Sequence, residues 1–310
     1  SAQGSSDRSS YFFSIGELFQ RGPVPSHSYN RYNIQSNLEA RLAKSFKIGA
    51  QINARLEHRH TAGLPGWDDY NNVFLGIIRN WPTERPYAND NPAYLNNTHS
   101  ININPGTFRE EITGPADIYD RVFRGNLYAE YDFGFGLKAK ITGAYGYLFN
   151  HDEFFEYTYN AFTYDRNTDT YNMVPGGGNQ NPFRATQRTQ VEDIFFQGQL
   201  SYNKKFGDHS ISAVGAYEAS KSNDIFFYFH TVPPNNYIFP MYFENADAST
   251  QRYNYSARAS FIGRFNYNYK EKYLVELLGR YDGSYLYSPG NRWGLFPGVS
   301  LGWRISNESF

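Results

Sequence analysis

The sequence has no cysteine, only 2 methionines in 310 residues, no long apolar run and a net charge of -1. Without cysteine there is no disulfide framework, no thiol nucleophile and no cysteine-ligated metal. Apolar runs of only a few residues exclude a transmembrane helix. The near-neutral charge gives no electrostatic reason to expect a nucleic-acid partner.

Aromatic residues, by contrast, are abundant: they make up 19% of the chain, with 28 Tyr and 26 Phe. The core of a soluble enzyme draws mainly on Leu, Ile, Val and Met. Disordered chains are poor in aromatics. The composition is therefore unusual for a soluble enzyme and wrong for a disordered chain.

Apolar and polar residues alternate along much of the chain. Between residues 253 and 269 every even position except Ile262 is polar, and the odd positions are mostly aromatic or small. Successive strand side chains point to opposite faces, so this pattern predicts a strand between two different environments. It recurs in about ten segments: 10–19 (faces ambiguous), 31–42, 46–57, 123–133, 137–145, 193–203, 210–218, 253–269, 275–282 and 295–306.

The length of these strands favours a membrane barrel over a soluble β-sandwich, which also alternates. They run about 10 to 17 residues, whereas soluble strands typically have about 5 to 6. A tilted strand needs about 9 to 11 residues to cross a bilayer. Tyr also stands at both ends of the strand 253–269, where its polar tip suits the two membrane surfaces.

Charge assigns the two faces. An Arg or Lys facing lipid at the midplane costs about 2 to 4 kcal/mol, and the apolar faces carry no charge. The opposite faces are predicted to line a wet or plugged lumen. Their charged residues include Arg124, Glu130, Arg258, Arg264, Glu276, Arg280 and Arg304.

Short and long connections alternate. The short ones are predicted at 43–45, 134–136, 204–209 and 270–272, and the long ones at 58–117, 150–190 and 221–250, with 20–29 and 283–291 as shorter members of the long class. Bacterial outer-membrane barrels have short periplasmic turns and long extracellular loops. Followed from one end of the chain to the other, this alternation predicts that both chain ends lie on the periplasmic side.

The C-terminal part carries a specific resemblance. The chain reads Arg280-Tyr281-Asp282-Gly283-Ser284, then Pro289-Gly290-Asn291-Arg292-Trp293-Gly294, Phe296-Pro297 and Gly302-Trp303-Arg304-Ile305. This hairpin resembles that of SusC/RagA-type TonB-dependent outer-membrane transporters of Bacteroidetes. The opening is similar to the same family, with Tyr11-Phe12-Phe13-Ser14-Ile15-Gly16 leading to Gly22 and Tyr29-Asn30-Arg31-Tyr32-Asn33. Two departures, Tyr285-Leu286-Tyr287 and Gly298, lie within one hairpin.

The resemblance implies an all-β, transmembrane antiparallel barrel of 22 strands, of which residues 1–310 would form about ten as a single domain. The plug domain, the coupling peptide and the N-terminal domain of the family are not recognisable here. We therefore expect a partial chain, with Phe310 an internal residue. The family imports oligosaccharides or peptides with a SusD-like surface lipoprotein as a lid, and the TonB complex supplies energy through regions not recognised in this chain.

Other chemistry receives little support from the residues. His58, Arg59, His60, Trp67, Asp68 and Asp69 stand near the start of the longest predicted loop. Their spacing matches no metal motif and no catalytic dyad of the kind found in ten-stranded outer-membrane proteases. We expect no enzyme, no metal and no cofactor. Asp165–Tyr171 lacks the Gly and distant Glu of a calcium loop and is predicted to be a hairpin tip. Gly176-Gly177-Gly178 is predicted to be a flexible loop.

Aromatic residues in the predicted extracellular connections are candidates for contact with substrate or with the lipoprotein, because aromatic faces stack on sugar rings and peptide side chains. They equally suit packing of the loops against one another. The candidates are Trp67, Trp81, Tyr157, Tyr159, Tyr164, Phe227, Tyr228 and Tyr237.

The expected function is import of oligosaccharides or peptides through the outer membrane. The barrel itself is expected to contact the lipid of that membrane. The alternative is a siderophore or cobalamin TonB-dependent receptor without a lipoprotein lid. An adhesin or surface scaffold is a third interpretation, and it predicts no energy coupling. Nothing in the sequence separates glycan from peptide substrates, because loop aromatics serve both.

Overall fold

The computed structural model describes residues 1–63, 72–98, 104–236 and 246–308. Strands dominate these ranges: β1 (Ala2–Ser5), β2 (Ser9–Arg21), β3 (Ser28–Ala43), β4 (Phe46–Ala62), β5 (Pro115–Asp132), β6 (Leu137–Glu156), β7 (Tyr159–Asp165), β8 (Thr170–Asn179), β9 (Phe183–Phe206), β10 (His209–Thr231), β11 (Ala246–Tyr269), β12 (Tyr273–Ser284) and β13 (Trp293–Trp303). The helices are α1 (Asn72–Arg79) and α2 (Glu110–Thr113), with 3₁₀ turns at Ala88–Asp90, Pro105–Thr107 and Ile305–Asn307.

Eleven of the strands form one antiparallel sheet in the order β1-β2-β3-β4-β5-β6-β9-β10-β11-β12-β13. Each strand pairs with the next in the chain, except that the hairpin β7–β8 is inserted between β6 and β9 as a separate two-stranded sheet. The prediction of about ten antiparallel strands is confirmed. The additional strand of this sheet, β1, was missed because four residues are too few to show alternation.

The connections lie alternately at two ends of the sheet. The short ones, at 6–8, 44–45, 133–136, 207–208 and 270–272, define what we call the turn end. The long ones, at 22–27, 63–114, 157–182, 232–245 and 285–292, define the loop end. The predicted alternation is thus present. The prediction that both chain ends lie at the turn end is wrong for the first residues, because Ala2 pairs with Phe13, midway along β2.

One turn shows why glycine is required locally. Gly136 has φ 99°, a left-handed conformation that favours glycine. A Cβ on Gly136 would lie 2.4 Å from the backbone oxygen of Asn203. The backbone of the β5–β6 turn can therefore pack directly against β9, where the Asn203 N–H donates to the Gly136 carbonyl at 2.8 Å.

The two faces of the sheet differ as the alternation predicts. On β4 the residues from Phe46 to Leu56 present an apolar face through their even positions, while Lys47, Gln51 and Arg55 lie on the polar face. Large apolar side chains on the apolar face are exposed, with Leu127 at 64% and Leu301 at 75%. A water-soluble protein rarely leaves so large a contiguous apolar surface uncovered.

Conventional burial occurs instead at the loop end. In the described ranges the buried hydrophobic residues come from connections or from the strand ends next to them: Ala62, Ala88, Leu95, Phe108, Ala116, Phe155, Ala161 and Ala185. We call this compact region the cap. Within the described ranges, no helix combines the length and the apolar character needed to cross a membrane.

The hairpin β7–β8 builds one side of the cap. Its tip at residues 166–169 confirms the predicted hairpin turn. The ring of Tyr171 stacks on Tyr94 at 4.0 Å, and Phe162 meets Tyr94 edge-on at 5.1 Å. The prediction of a flexible loop at Gly176–Gly178 is wrong, because these glycines lie in β8. Gly178 has φ 83°, and a Cβ there would lie 2.2 Å from the Tyr159 carbonyl oxygen, so close pairing with β7 requires glycine.

Several strands continue well beyond their predicted ends towards the loop end. β6 reaches Glu156, β9 starts at Phe183 and β10 reaches Thr231. The alternation fades in these extensions, as in the run Ile225–His230, where both faces carry aromatic side chains. Backbone pairing nevertheless continues, for example between Phe227 and Arg188.

Candidate functional site

The polar face of the sheet carries the residues predicted to line a lumen. Arg124, Glu130, Arg258, Arg264, Glu276 and Arg280 all lie in strands, on the face opposite the exposed apolar side chains. Arg304 differs. The last strand was predicted to run through Ser306, but β13 ends at Trp303 and a 3₁₀ turn follows. Arg304 therefore lies beyond the end of the strand, at the turn end.

Charged residues on this face form cross-strand networks. The Arg264 Nε donates to Glu276 Oε2 at 2.9 Å between β11 and β12. The Arg280 guanidinium reaches Glu218 on β10 and Asp282 on its own strand, both at 3.2 Å. The Arg280 and Arg264 side chains are 41% and 55% exposed, so these ion pairs lie in contact with water.

A second set of polar side chains, the turn-end network, joins four neighbouring strands near the short connections. The Tyr128 hydroxyl donates to Glu39 Oε2 at 2.6 Å, and the Lys47 ammonium lies 3.2 Å from the same carboxylate. The Lys140 ammonium lies 4.6 Å from the centre of the Tyr128 ring. An added Cβ on Gly49 would lie 2.3 Å from that ring, so this glycine makes room for Tyr128 to lie across β4.

A third set, the loop-end network, lies on the polar face just below the cap. The Asn150 Nδ2 donates to Asp152 Oδ1 at 2.6 Å and to Asp120 Oδ1 at 3.0 Å. Gln187 Nε2 donates to Asp152 Oδ2 at 3.3 Å. Burial is the largest cause of the raised pKa of Asp152, which is about 6. The hydrogen bond from Asn150 lowers this pKa, the negative charge of Asp120 raises it, and the positive charge of Arg59 lowers it. Sequence reasoning missed Asp152 because it placed the residue in a loop.

The aromatic candidates do not share one surface in the described part of the chain. Trp81, just after α1, is 57% exposed. Tyr157 directly follows β6 and its N–H donates to the Thr113 carbonyl at 2.9 Å. Burial, followed by the charge of Glu156, raises the pKa of Tyr159 to about 12. Trp67 and Tyr237 lie outside the described residues.

Four of these candidates lie in strands instead of irregular loops. Tyr159 and Tyr164 belong to β7, where the Tyr164 hydroxyl donates to Asp169 at 2.8 Å. Phe227 and Tyr228 belong to β10, and the Phe227 ring is parallel to Phe229 at 6.4 Å. Tyr164 and Phe227 therefore make contacts within the protein.

A further cluster lies on the continuation of the apolar face, beyond its exposed aliphatic residues. His58 and His60, at alternate positions of β4, share the carboxylate of Asp117 on β5, with His58 Nε2 at 2.6 Å and His60 Nδ1 at 2.8 Å from Oδ1. His60 Nε2 also meets Glu110 Oε2 at 2.6 Å. Burial lowers the pKa of His60, but hydrogen bonds and attraction from Asp117 and Glu110 leave it raised overall. Trp67, Asp68 and Asp69, grouped with these histidines in the sequence, lie outside the described residues.

Comparison with known proteins agrees with this architecture. No protein-family model matches the chain. TonB-dependent receptor P3 of Formosa agariphila is 27% identical over 99% of the chain, and receptor P26 of the same organism is 28% identical over all of it. TonB-dependent receptor SusC of Bacteroides thetaiotaomicron is 47% identical over 51 residues, or 16% of the chain. The chain is thus similar over nearly its whole length to proteins named TonB-dependent receptors.

The predicted resemblance to the SusC/RagA type is therefore confirmed. The chain spans only 30% of the length of receptors P3 and P26. The RagAB peptide transporter has the same fold over 99% of this chain and 33% of its own, with a TM-score of 0.75 and 17% identity. The fold is thus that of a segment of an antiparallel β-barrel.

Proposed function

We propose that the protein containing this chain is a TonB-dependent nutrient importer of the outer membrane, and that residues 1–310 form one part of its barrel as a single domain. The apolar face of the sheet carries this proposal. On β4 it runs from Phe46 to Leu56, about 34 Å along a strand at about 3.4 Å per residue. At a tilt of about 45° this covers about 24 Å of height, against about 25 Å for the apolar band of an outer-membrane barrel.

The polar face supports a lumen. Its charged residues pair across strands and stay in contact with water, as the exposure of Arg264 and Arg280 indicates. In this arrangement the polar face meets the plug and the passing solute. The residues that do so are Arg124, Glu130, Arg258, Arg264, Glu276 and Arg280. Arg304, beyond β13, meets the periplasmic side instead. The wall carries out no covalent chemistry; it provides a hydrated surface for solute.

The loop end then faces the outside of the cell, and the cap meets substrate and partner. The partner proposed is a SusD-like surface lipoprotein acting as a lid, with energy from the TonB complex through regions beyond this chain. The exposed Trp81 is the strongest described candidate for contact with an oligosaccharide or peptide. The homology to SusC and the fold shared with the RagAB peptide transporter support this assignment over a receptor that has no lid.

The experiment is uptake by the native organism carrying the full-length gene, its deletion, or a Trp81→Ala version. Uptake is measured with a panel of labelled oligosaccharides and a panel of labelled peptides. Deletion of the gene should abolish accumulation of one of these two classes of compound. Collapse of the proton-motive force should have the same effect. A lipoprotein should co-purify from outer membranes. Trp81→Ala should lower uptake or lid binding, whereas Ile78→Ala, an exposed neighbour on α1, should not.

Uptake that does not need energy, or uptake that is unchanged after deletion of the gene, would overturn the proposal that the protein is an importer. Uptake of a ferric siderophore or cobalamin without a co-purifying lipoprotein would establish the receptor without a lid.

A further inference from the structure

The strand register brings two histidines and a carboxylate to one place. His58 and His60 are two residues apart on β4, so both side chains lie on the same face. The register pairs His60 with Asp117 and His58 with Tyr119, which puts the Asp117 side chain beside both imidazoles. The side chain of His58 is 35% exposed, that of His60 is 23% exposed and that of Asp117 is 20% exposed. This partial exposure leaves a path for an ion to enter.

The ligand atoms lie close enough to share one ion. One ring nitrogen of His58, one of His60 and a carboxylate oxygen of Asp117 lie within 4.8 Å of one another. A tetrahedral Zn²⁺ site with bonds of about 2.0 to 2.2 Å needs ligand atoms about 3.3 Å apart. The two nitrogen-to-oxygen distances are now 2.6 and 2.8 Å, so side-chain rotations that widen them by about 0.5 to 0.7 Å would bring them to the spacing that the ion needs.

Neighbouring side chains restrain both rings. The His58 ring stacks on Tyr119 at 4.4 Å with an angle of 6° between the planes. The second nitrogen of His60, Nε2, meets Glu110 Oε2 at 2.6 Å. A metal-binding histidine usually donates its other N–H to a carboxylate, which fixes the tautomer and orients the ring. The pair Glu110–His60 has this arrangement.

We propose that His58 Nε2, His60 Nδ1 and Asp117 bind a divalent transition-metal ion, with Zn²⁺ the best match. Two imidazoles and one carboxylate are ligands that suit Zn²⁺, whereas Ca²⁺ and Mg²⁺ prefer oxygen alone. The fourth position is left for water. Asp117 and Glu110 supply two negative charges that balance the ion. Glu110 acts as a positioning residue and belongs to α2, so the ion would fasten the 63–114 connection to the ends of β4 and β5.

The test measures metal bound to the full-length protein, purified in detergent and freed of metal with a chelator. Equilibrium dialysis against Zn²⁺, followed by elemental analysis, should give one more ion per chain for the wild type than for the double variant His58→Gln, His60→Gln. Asp117→Asn should also lose this ion. Glu110→Gln should keep it with about 10- to 100-fold weaker affinity. Co²⁺ should give visible absorption bands of a four-coordinate site that the double variant lacks.

His151→Gln is the matched control, because His151 lies on the same face of β6 with its ring 6.4 Å from that of Tyr119, outside the three ligands. It should bind as the wild type does. Each variant should first show wild-type β-sheet circular dichroism and heat-dependent mobility in gels. Equal Zn²⁺ stoichiometry in the wild type and the double variant would overturn the site, as would equal loss in His151→Gln. The measurement does not depend on uptake, so it is independent of the proposed function.

Discussion

Replacing Ile52 with arginine tests which face of the sheet contacts lipid. Ile52 is an exposed residue on the apolar face of β4, close to the middle of the stretch Phe46–Leu56. An arginine facing lipid at the midplane costs about 2 to 4 kcal/mol. Every 1.4 kcal/mol is about a tenfold change in an equilibrium constant, so the folded-to-unfolded ratio should fall by roughly 30- to 700-fold.

Two comparisons isolate the lipid contribution. Gln51→Arg places the same side chain next along β4, exposed on the polar face, and should change the free energy of unfolding by less than about 0.5 kcal/mol. Leu56→Arg lies on the apolar face at the edge of the stretch, where the cost falls to about 0 to 1 kcal/mol.

The assay is urea unfolding of the full-length protein refolded into phosphatidylcholine vesicles, with the three variants compared at constant m-value. A cost for Ile52→Arg within about 0.5 kcal/mol of that for Gln51→Arg would show that both faces meet water. A cost at Leu56 equal to that at Ile52 would show that depth in a bilayer is not the cause. Either result would refute the assignment of the apolar face to lipid.

Three further predictions concern the cap and the polar networks. Gly178→Ala should open the β7–β8 hairpin to limited proteolysis, because its Cβ would meet the Tyr159 carbonyl; Gly176→Ala, also at positive φ but with open space around it, should be cleaved much less. The pKa of Asp152, raised to about 6 by burial, exceeds the value of about 3.9 in the unfolded chain, so the folded state binds this proton more tightly. The contribution of Asp152 to stability should therefore fall as the pH rises from about 4 to about 6. The stability difference between the wild type and Asp152→Asn, measured by thermal unfolding, should shift in that direction over this range; a difference that does not vary with pH would contradict the assignment. Arg280→Gln should lower the free energy of unfolding by less than about 1 kcal/mol in urea titrations, because its ion pairs are exposed; a loss of several kcal/mol would mean that the polar face is dry.

The sequence predicted the strands well wherever the two faces have different surroundings. On β3 and β4, and in the middle of β11, apolar and polar residues alternate because one face must avoid charge and the other must accept it. The same constraint limited the prediction. Beyond the apolar band both faces are polar or aromatic. The loop-end parts of β6, β9 and β10 therefore lack the alternation of apolar and polar residues by which a strand is predicted.

Sites that depend on pairing between distant segments were not predictable from spacing. The histidines at 58 and 60 were visible, but their partner Asp117 lies beyond the 63–114 connection and becomes a neighbour only through the β4–β5 register. Asp152 was likewise hidden, because its burial depends on β5 and β9 on either side of β6. Tyr171, which stacks on Tyr94, shows that an aromatic residue in a long connection can serve internal packing as readily as ligand contact.

The cap has a consequence for the order in which the protein assembles. Its hydrogen bonds join residues far apart in the chain, such as Asn91 with Tyr171 and Thr158 with Asn236, separated by 80 and 78 positions. Closing such long loops is entropically costly until the intervening strands have paired. The cap should therefore be among the last parts to become protected from hydrogen exchange. In the proposed orientation, its appearance on the cell surface would report that the wall from β4 to β10 had been completed.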